Sequence, residues 1–155
     1  DPENLCLIGV SDYPQKKALR IKDGRIKDYV GVYTELRRRG VRILTNEDCR
    51  LKPSKVKSVL MSMNVPFIYV SVDMDIGSRN AVEGVRFRDR HGLSEATIYR
   101  IAESIAELLG TGAELAGMDI TEINPRRAGM LLDSGADRTY DIAFRLIKKI
   151  AFGTP

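Results

Sequence analysis

Two aspartates one residue apart, Asp73 and Asp75, close the apolar run "FIYVSVDMDIG" at residues 67–77. Side chains two positions apart on an extended chain point to the same side, so both carboxylates are expected to converge just past Val72. Carboxylates that close repel, and one takes up a proton unless a cation or strong donors hold both ionised. Oxygen donors in that arrangement suit Mg2+ or Mn2+. The same pair also suits a turn, with one aspartate capping backbone amides ahead of Gly77, and an isolated D-x-D motif does not separate the two uses.

A third acid falls in the same topological place. "GMDITEINP" runs from a strand into a loop, so Glu122 is expected to emerge at the carboxyl edge, ahead of a Pro125 that stops regular structure. A free carboxylate beside a metal is placed to hold a cationic group, and a guanidinium would bind it through two parallel hydrogen bonds. Its alternative is a surface glutamate in a loop.

The elements that must position these acids follow from periodicity. Short apolar runs at 5–10, 41–44, 66–72 and 114–120 read as strands. Helical spacing of Ile26, Tyr29, Val30, Tyr33 and Leu36 predicts a helix stopped by Gly40. Pro53 suits the first turn of another, running to about Met63. Ile98, Ile101, Ile105, Leu108 and Leu109 mark the apolar face of a third, with Ser94 as N-cap and Gly110 as stop. A final amphipathic helix spans 137–150. Near-continuous apolar strands alternating with helices imply an α/β fold: three layers, a mainly parallel sheet with helices on both faces, and right-handed crossovers. Ligand sites in such sheets lie beyond the carboxyl ends of the strands, where the three acids fall.

At 155 residues the chain suits one domain over 1–155. Its net charge of +4 resides in short clusters, Lys16-Lys17, Arg37-Arg38-Arg39, Arg126-Arg127 and Lys148-Lys149, interleaved with acids. These read as solvated helix faces and helix C-terminal charges. No aromatic residues are interleaved with them as a single-strand stacking platform requires, which argues against a nucleic-acid partner. Cys6 and Cys49 match no metal or redox spacing and read as reduced thiols of a cytoplasmic protein. No apolar stretch reaches the length of a membrane span, and none resembles a signal peptide. The chain opens on Asp1-Pro2 and enters a strand almost at once, so a truncated or processed piece of a longer polypeptide is expected.

Four segments, "YVSVDMDIG", "GLSEATIYRIAESI", "AGMDITEINP" and "DRTYDIAFRLI", closely resemble, in order and spacing, the C-terminal half of the arginase, agmatinase and formiminoglutamase (ureohydrolase) family. The resemblance is close over 66–150 and loose before it. It implies an arginase-like fold with a pair of Mn2+ ions at the carboxyl edge of a parallel sheet. The metals activate a water that attacks the carbon of a guanidino or related amidine substrate, such as agmatine or arginine, breaking a C–N bond. Carried over by motif, Asp73 and Asp75 look like metal ligands, and Glu122 looks like the carboxylate that orients the guanidinium. Asn124 and Pro125 would shape the loop around it. Relatives often form homo-oligomers.

The chain also departs from the family pattern. The remaining metal ligands of family members come from an earlier histidine and an Asp-Ala-His-x-Asp segment, and this chain contains neither. Its one histidine, His91, occupies a loop position where the family usually has glycine, and reads as solvent-exposed or helix-capping. The loop between Asp75 and Gly92 keeps the family's length but carries Arg79, Arg86, Arg88 and Arg90 in place of small and proline residues. If this loop lines the pocket mouth, it favours an acidic or altered substrate over a cationic one. The first expectation is thus the C-terminal portion of a metal-dependent hydrolase whose missing N-terminal portion carries the other ligands, inactive by itself. The alternative is a noncatalytic arginase-fold binding or assembly module. A phosphate-handling domain ranks last, because "GVSDYPQKK" replaces the glycine-rich loop such folds place after their first strand.

Overall fold

The apolar, partly β-branched runs form four main strands: β1 (Cys6–Val10), β2 (Arg42–Thr45), β3 (Phe67–Asp73) and β4 (Glu114–Thr121). Helices separate them: α1 (Gly24–Arg38), α2 (Asn46–Leu51), α3 (Pro53–Met61), α4 (Glu95–Gly110) and α5 (Thr139–Phe152). This computed structural model describes residues 1–15, 17–78, 80–132 and 135–153; Lys16 and Arg79 lie outside them.

Local chemistry sets the helix boundaries. The Ser94 hydroxyl accepts a hydrogen bond from the Thr97 amide at 3.3 Å and opens α4. Asp23 accepts from the Arg25 amide at 2.9 Å and opens α1. Thr45 and Asp48 form a reciprocal capping box that opens α2, a helix that hydrophobic periodicity alone did not reveal because it is only 6 residues long. The last helix starts at Thr139 rather than at 137, because the Asp137 side chain is committed to the loops before it.

The α/β organisation is present as two parallel pairs, β1 with β2 and β3 with β4, followed by a separate small antiparallel hairpin of β5 (Leu131–Leu132) and β6 (Gly135–Ala136). Alternation along β3 turns Val70 inward against Ile98, Ala102 and Ile105 of α4 and Ile142 and Leu146 of α5, the main core. The opposite face is open: Phe67 and Tyr69 are 62% and 63% exposed. Along that face Asp119 accepts from Tyr69 Oη at 2.7 Å and Ser71 Oγ at 2.8 Å, a cross-strand link between β3 and β4. The free edges of β1 and β3 line a common cleft of about 810 Å3. Gly9, at φ +82°, lets the end of β1 approach the end of β3: a Cβ there would lie 2.4 Å from Ile76 Cδ1.

Asp137 holds the loops at the carboxyl side together. Its Oδ1 accepts from the amides of Glu83 (3.0 Å) and Gly84 (2.9 Å) and from Thr139 Oγ1 (2.8 Å). Its Oδ2 accepts from the amides of Gly129 (2.8 Å) and Thr139 (3.1 Å). Gly84 has to be glycine, since a Cβ there would sit 2.4 Å from Ala128 Cα. Burial opposes the charge of Asp137, but the donors around it prevail and hold its carboxyl below the usual carboxylate range. Asp137→Ala strands these donors and is expected to cost about 2–3 kcal/mol in urea unfolding. A group with a lowered folded-state pKa stabilises above its ordinary pKa. The wild-type advantage over the variant should therefore persist at neutral pH and shrink as pH falls below the ordinary aspartate value.

Candidate functional site

Met74, fully buried between the two acids, anchors the end of β3 in the core. The chain leaves the strand there as a single 3-10 turn, Met74–Ile76, and the Asp73 carboxylate caps that turn by accepting from the Asp75 amide at 3.1 Å. The turn-forming use of the motif is therefore realised. The turn also leaves the two carboxyl groups close enough for Asp73 to push the Asp75 carboxyl up, through a tight turn rather than through strand alternation. Asp73 is exposed and Asp75 half-buried.

Asp75 bears the cost of that proximity. Burial first, then the hydrogen bond and charge of Asp73, then the charges of Glu122 and Asp89, push its carboxyl up to about 6. Glu122 thus lies within electrostatic reach of the pair, although it comes from the end of the neighbouring strand. Among the described residues, no three His, Cys, Asp or Glu side chains are grouped closely enough to hold a metal ion.

Glu122 is unusual in two respects. Its backbone is left-handed, φ +61°, which costs a non-glycine residue about 1 kcal/mol or more and persists only where the surroundings impose it. The Glu122 carbonyl accepts from the Arg86 amide at 3.1 Å, and Val85 bridges Ile123, so loop contacts on both sides impose this geometry. Its Oε2 is buried and has no hydrogen-bond partner, a state that native proteins rarely leave uncompensated. Asn124 shapes the following loop: its amide donates to the Gly84 carbonyl at 2.8 Å, and its Oδ1 accepts from the Arg126 amide at 3.1 Å. Pro125 is exposed beside it.

Two further acids were not singled out in the sequence. Asp12 and Asp89 line the same cleft as Asp73 and Asp75. Asp12 follows the end of β1, so the strand-end rule that located Asp73 also reaches it; its Oδ1 accepts from Tyr33 Oη at 2.5 Å. Asp89 arrives through a bridge between Ser78 and Asp89 in an irregular loop, for which the sequence carries no periodic signal. Arg86, Arg88 and Arg90 are exposed, Arg86 stacks over Phe87 at 5.3 Å, and Arg88 lies 3.9 Å from Glu83. His91 is exposed; its amide donates to Asp89 Oδ1 at 2.7 Å, and its carbonyl accepts from Asn46 Nδ2 at 3.2 Å. Cys6 and Cys49 are free thiols, each raised to about 11 chiefly by burial. No helix among the described residues is long and apolar enough to cross a membrane.

Comparison with known proteins places this arrangement. The sequence model of the Arginase family matches residues 1–153, and the chain belongs to that family. The match takes in β1 and α1, where the sequence motifs gave only a loose likeness. An arginase of Staphylococcus aureus is 28% identical over 146 residues, covering 94% of this chain and 42% of the relative. A formimidoylglutamase of Psychrobacter cryohalolentis is 28% identical over 152 residues, covering 96% of this chain and 37% of the relative. The chain thus spans about two fifths of the length of these curated relatives. Among solved structures, the arginase of Bacillus subtilis matches with a TM-score of 0.66 at 20% identity, over 98% of this chain and 44% of its own. The Helicobacter pylori arginase matches with a TM-score of 0.65 at 20% identity, over 97% of this chain and 44% of its own. At such identities these likenesses establish the α/β arginase fold.

The raised carboxyl has a consequence for stability. Folded Asp75 keeps its proton to higher pH than the unfolded chain does, so it withdraws stability as pH rises from the ordinary aspartate range to about 6. In metal-free buffer, Asp75→Asn should stabilise the chain at pH 7 by about 1 kcal/mol, solvent screening of the half-exposed group keeping the effect small. The gain should disappear by pH 4, a pattern that urea titrations at the two pH values would read directly.

Proposed function

We propose that this chain is the portion of a ureohydrolase-like enzyme that supplies two metal-ligand carboxylates and the substrate-orienting carboxylate for hydrolysis of a guanidino or related amidine C–N bond. The observation that supports it most is the closeness of Asp73 and Asp75 at the end of β3, with Asp75 raised to about 6, Glu122 within electrostatic reach from the end of β4, and Glu122 Oε2 buried without a partner. Membership of the arginase family supports the reaction class.

The donor set fits a hard divalent cation. Asp73 and Asp75 present only carboxylate oxygens, and a cation between them would relieve the repulsion that adds to burial in pushing the Asp75 carboxyl up. Mn2+, the ion the family resemblance implies, is consistent with such ligands. Two carboxylates are fewer than such an ion takes, so the remaining ligands come from polypeptide beyond these 155 residues. When bound, the metal supplies Lewis-acid activation of the attacking water.

This chain's own residues do the positioning. Asp73 fixes the turn that aims Asp75. Glu122, held in a strained backbone state by Arg86 and Val85, accepts two parallel hydrogen bonds from the guanidinium through a carboxylate with an oxygen to spare. Asn124 fixes the loop beneath it. In the overall reaction a water oxygen bonds to the central carbon, the C–N bond breaks, and the amine leaves with a proton.

The test is hydrolysis of arginine, agmatine and formiminoglutamate by the polypeptide that carries the flanking coding sequence, with added Mn2+. Expected are turnover of one of them, its loss in Asp73→Asn and Asp75→Asn, and a drop in kcat/KM of roughly 30-fold or more in Glu122→Gln. The 155-residue chain alone should be inactive. Turnover by this short chain would overturn its need for ligands from outside, whereas a full-length protein that binds no Mn2+ and is merely stabilised by Asp73→Asn would leave the noncatalytic module as the better reading.

A further inference from the structure

The loop that carries Glu122 holds two buried polar atoms without partners, and they are of opposite kind. Glu122 Oε2 is an acceptor that no donor reaches, and Arg127 Nε, five positions on, is a donor that nothing among the described residues accepts from. Each is a free-energy cost that a ligand of the complementary kind removes. The stretch between them is a fixed turn. The Asn124 carbonyl accepts from the Arg127 amide at 3.0 Å and the Ala128 amide at 2.9 Å, while the Asn124 amide donates to the Gly84 carbonyl at 2.8 Å. Arg127 is thereby held on the same rim as Glu122, with its side chain half-buried.

That rim is positively charged. Residues 83–90 and 122–128 are held side by side by the Arg86 amide on the Glu122 carbonyl at 3.1 Å and by the bridge of Val85 to Ile123. Together they carry Arg86, Arg88, Arg90, Arg126 and Arg127 against Glu83, Asp89 and Glu122. Asp89 lines the cleft with β1 and β3, and Glu83 lies 3.9 Å from Arg88. An ammonium group entering beside Glu122 on this side meets an unfavourable field, and a carboxylate a favourable one. An acidic protein surface would engage the exposed guanidinium groups of Arg86, Arg88 and Arg90. The buried Arg127 Nε instead suits a small anion that enters the loop.

We propose that Arg127 is a specificity-determining residue: it binds a carboxylate at the end of the substrate remote from the guanidino group, so that the substrate is a guanidino acid and not a guanidino amine. The proposal rests on the hydrolase reading, in which Glu122 orients the guanidinium, and adds the second anchor to it. One molecule then satisfies both orphaned atoms. Its guanidinium donates to Glu122 Oε2, and its carboxylate accepts from Arg127 Nε and from a second nitrogen of the same planar fork. Anchors at both ends fix the reacting carbon between them, which a single anchor at Glu122 leaves free to swing.

Agmatine and γ-guanidinobutyrate form a matched pair for the test, being of similar length and ending in an ammonium and a carboxylate. With Mn2+ and the polypeptide that carries the flanking coding sequence, kcat/KM for γ-guanidinobutyrate should exceed that for agmatine by about 30-fold or more. Arg127→Gln should raise KM for the acid by about 30-fold with a much smaller change in kcat, and bring the preference for acid over amine to within about threefold of unity. Arg127→Lys keeps the charge without the fork and should recover part of it. A merely structural role would weaken both compounds alike and leave the preference intact; that result overturns the proposal, as does a wild type that takes agmatine equally well. If Arg127→Gln does not fold, the wild-type preference decides alone. Should neither compound turn over, calorimetric titration separates the two readings: tighter binding of the acid upholds the Arg127 site while the hydrolase falls, and equal binding overturns the site. Turnover of agmatine without preference for the acid upholds the hydrolase and removes the Arg127 site.

Discussion

Two carboxyl groups held side by side at a half-buried strand end carry charge together only at a cost unless a counter-ion is present, and much of this chain's carboxyl edge is organised around that constraint. Met74 sinks into the core and leaves no freedom in the turn, so Asp73 and Asp75 cannot separate by swinging the backbone away. Glu122 and Asp89 then add negative charge from two other directions. Nothing in the packing needs these acids there. A fold free of further demands would relax the repulsion by substitution, since clustered half-buried carboxylates are a standing cost.

The loops around the acids are fixed with correspondingly strong devices. Asp137 joins three separate pieces of chain through five accepted hydrogen bonds, and Gly84 allows two of those pieces to touch backbone to backbone. That clamp lies directly behind the loop from Glu122 to Ala128, through the amide of Asn124 on the Gly84 carbonyl. The left-handed backbone of Glu122 is thereby imposed from outside rather than chosen by the residue. Strain of this kind is affordable only because the clamp is rigid, and it fixes the direction of the Glu122 side chain more tightly than an ordinary loop would.

The sequence conveyed the elements and the chemistry unequally. Strands and long helices were readable because alternation and 3.6-residue spacing recur over enough residues to stand out, and Ser94 and Gly110 marked α4 at both ends. α2 was hidden because a helix of this length shows no period; only Thr45 and Asp48 together identify it. Asp73 and Asp75 were found by the rule that ligands gather at strand ends, although a 3-10 turn and not the strand aligns them. Asp89 carried no signal, since its place depends on a tertiary bridge. The arginine-rich loop carried a signal of residue type alone, and only its tertiary contacts, Arg86 over Phe87 and Arg88 near Glu83, could be read from the structure.

The open cleft and the strained acids belong to one problem. β1 and β3 line the cleft along their whole length, and Asp12, Asp73, Asp75 and Asp89 line it with them, so whatever fills the cleft meets the carboxylates. Filling the cleft buries those acids further, which raises the cost of their charge and strengthens every electrostatic contact they make. A purely apolar filler would make Asp75 more reluctant to ionise than it already is. Burial of the cleft and arrival of positive charge at its carboxyl end are therefore coupled: each lowers the free-energy cost of the other.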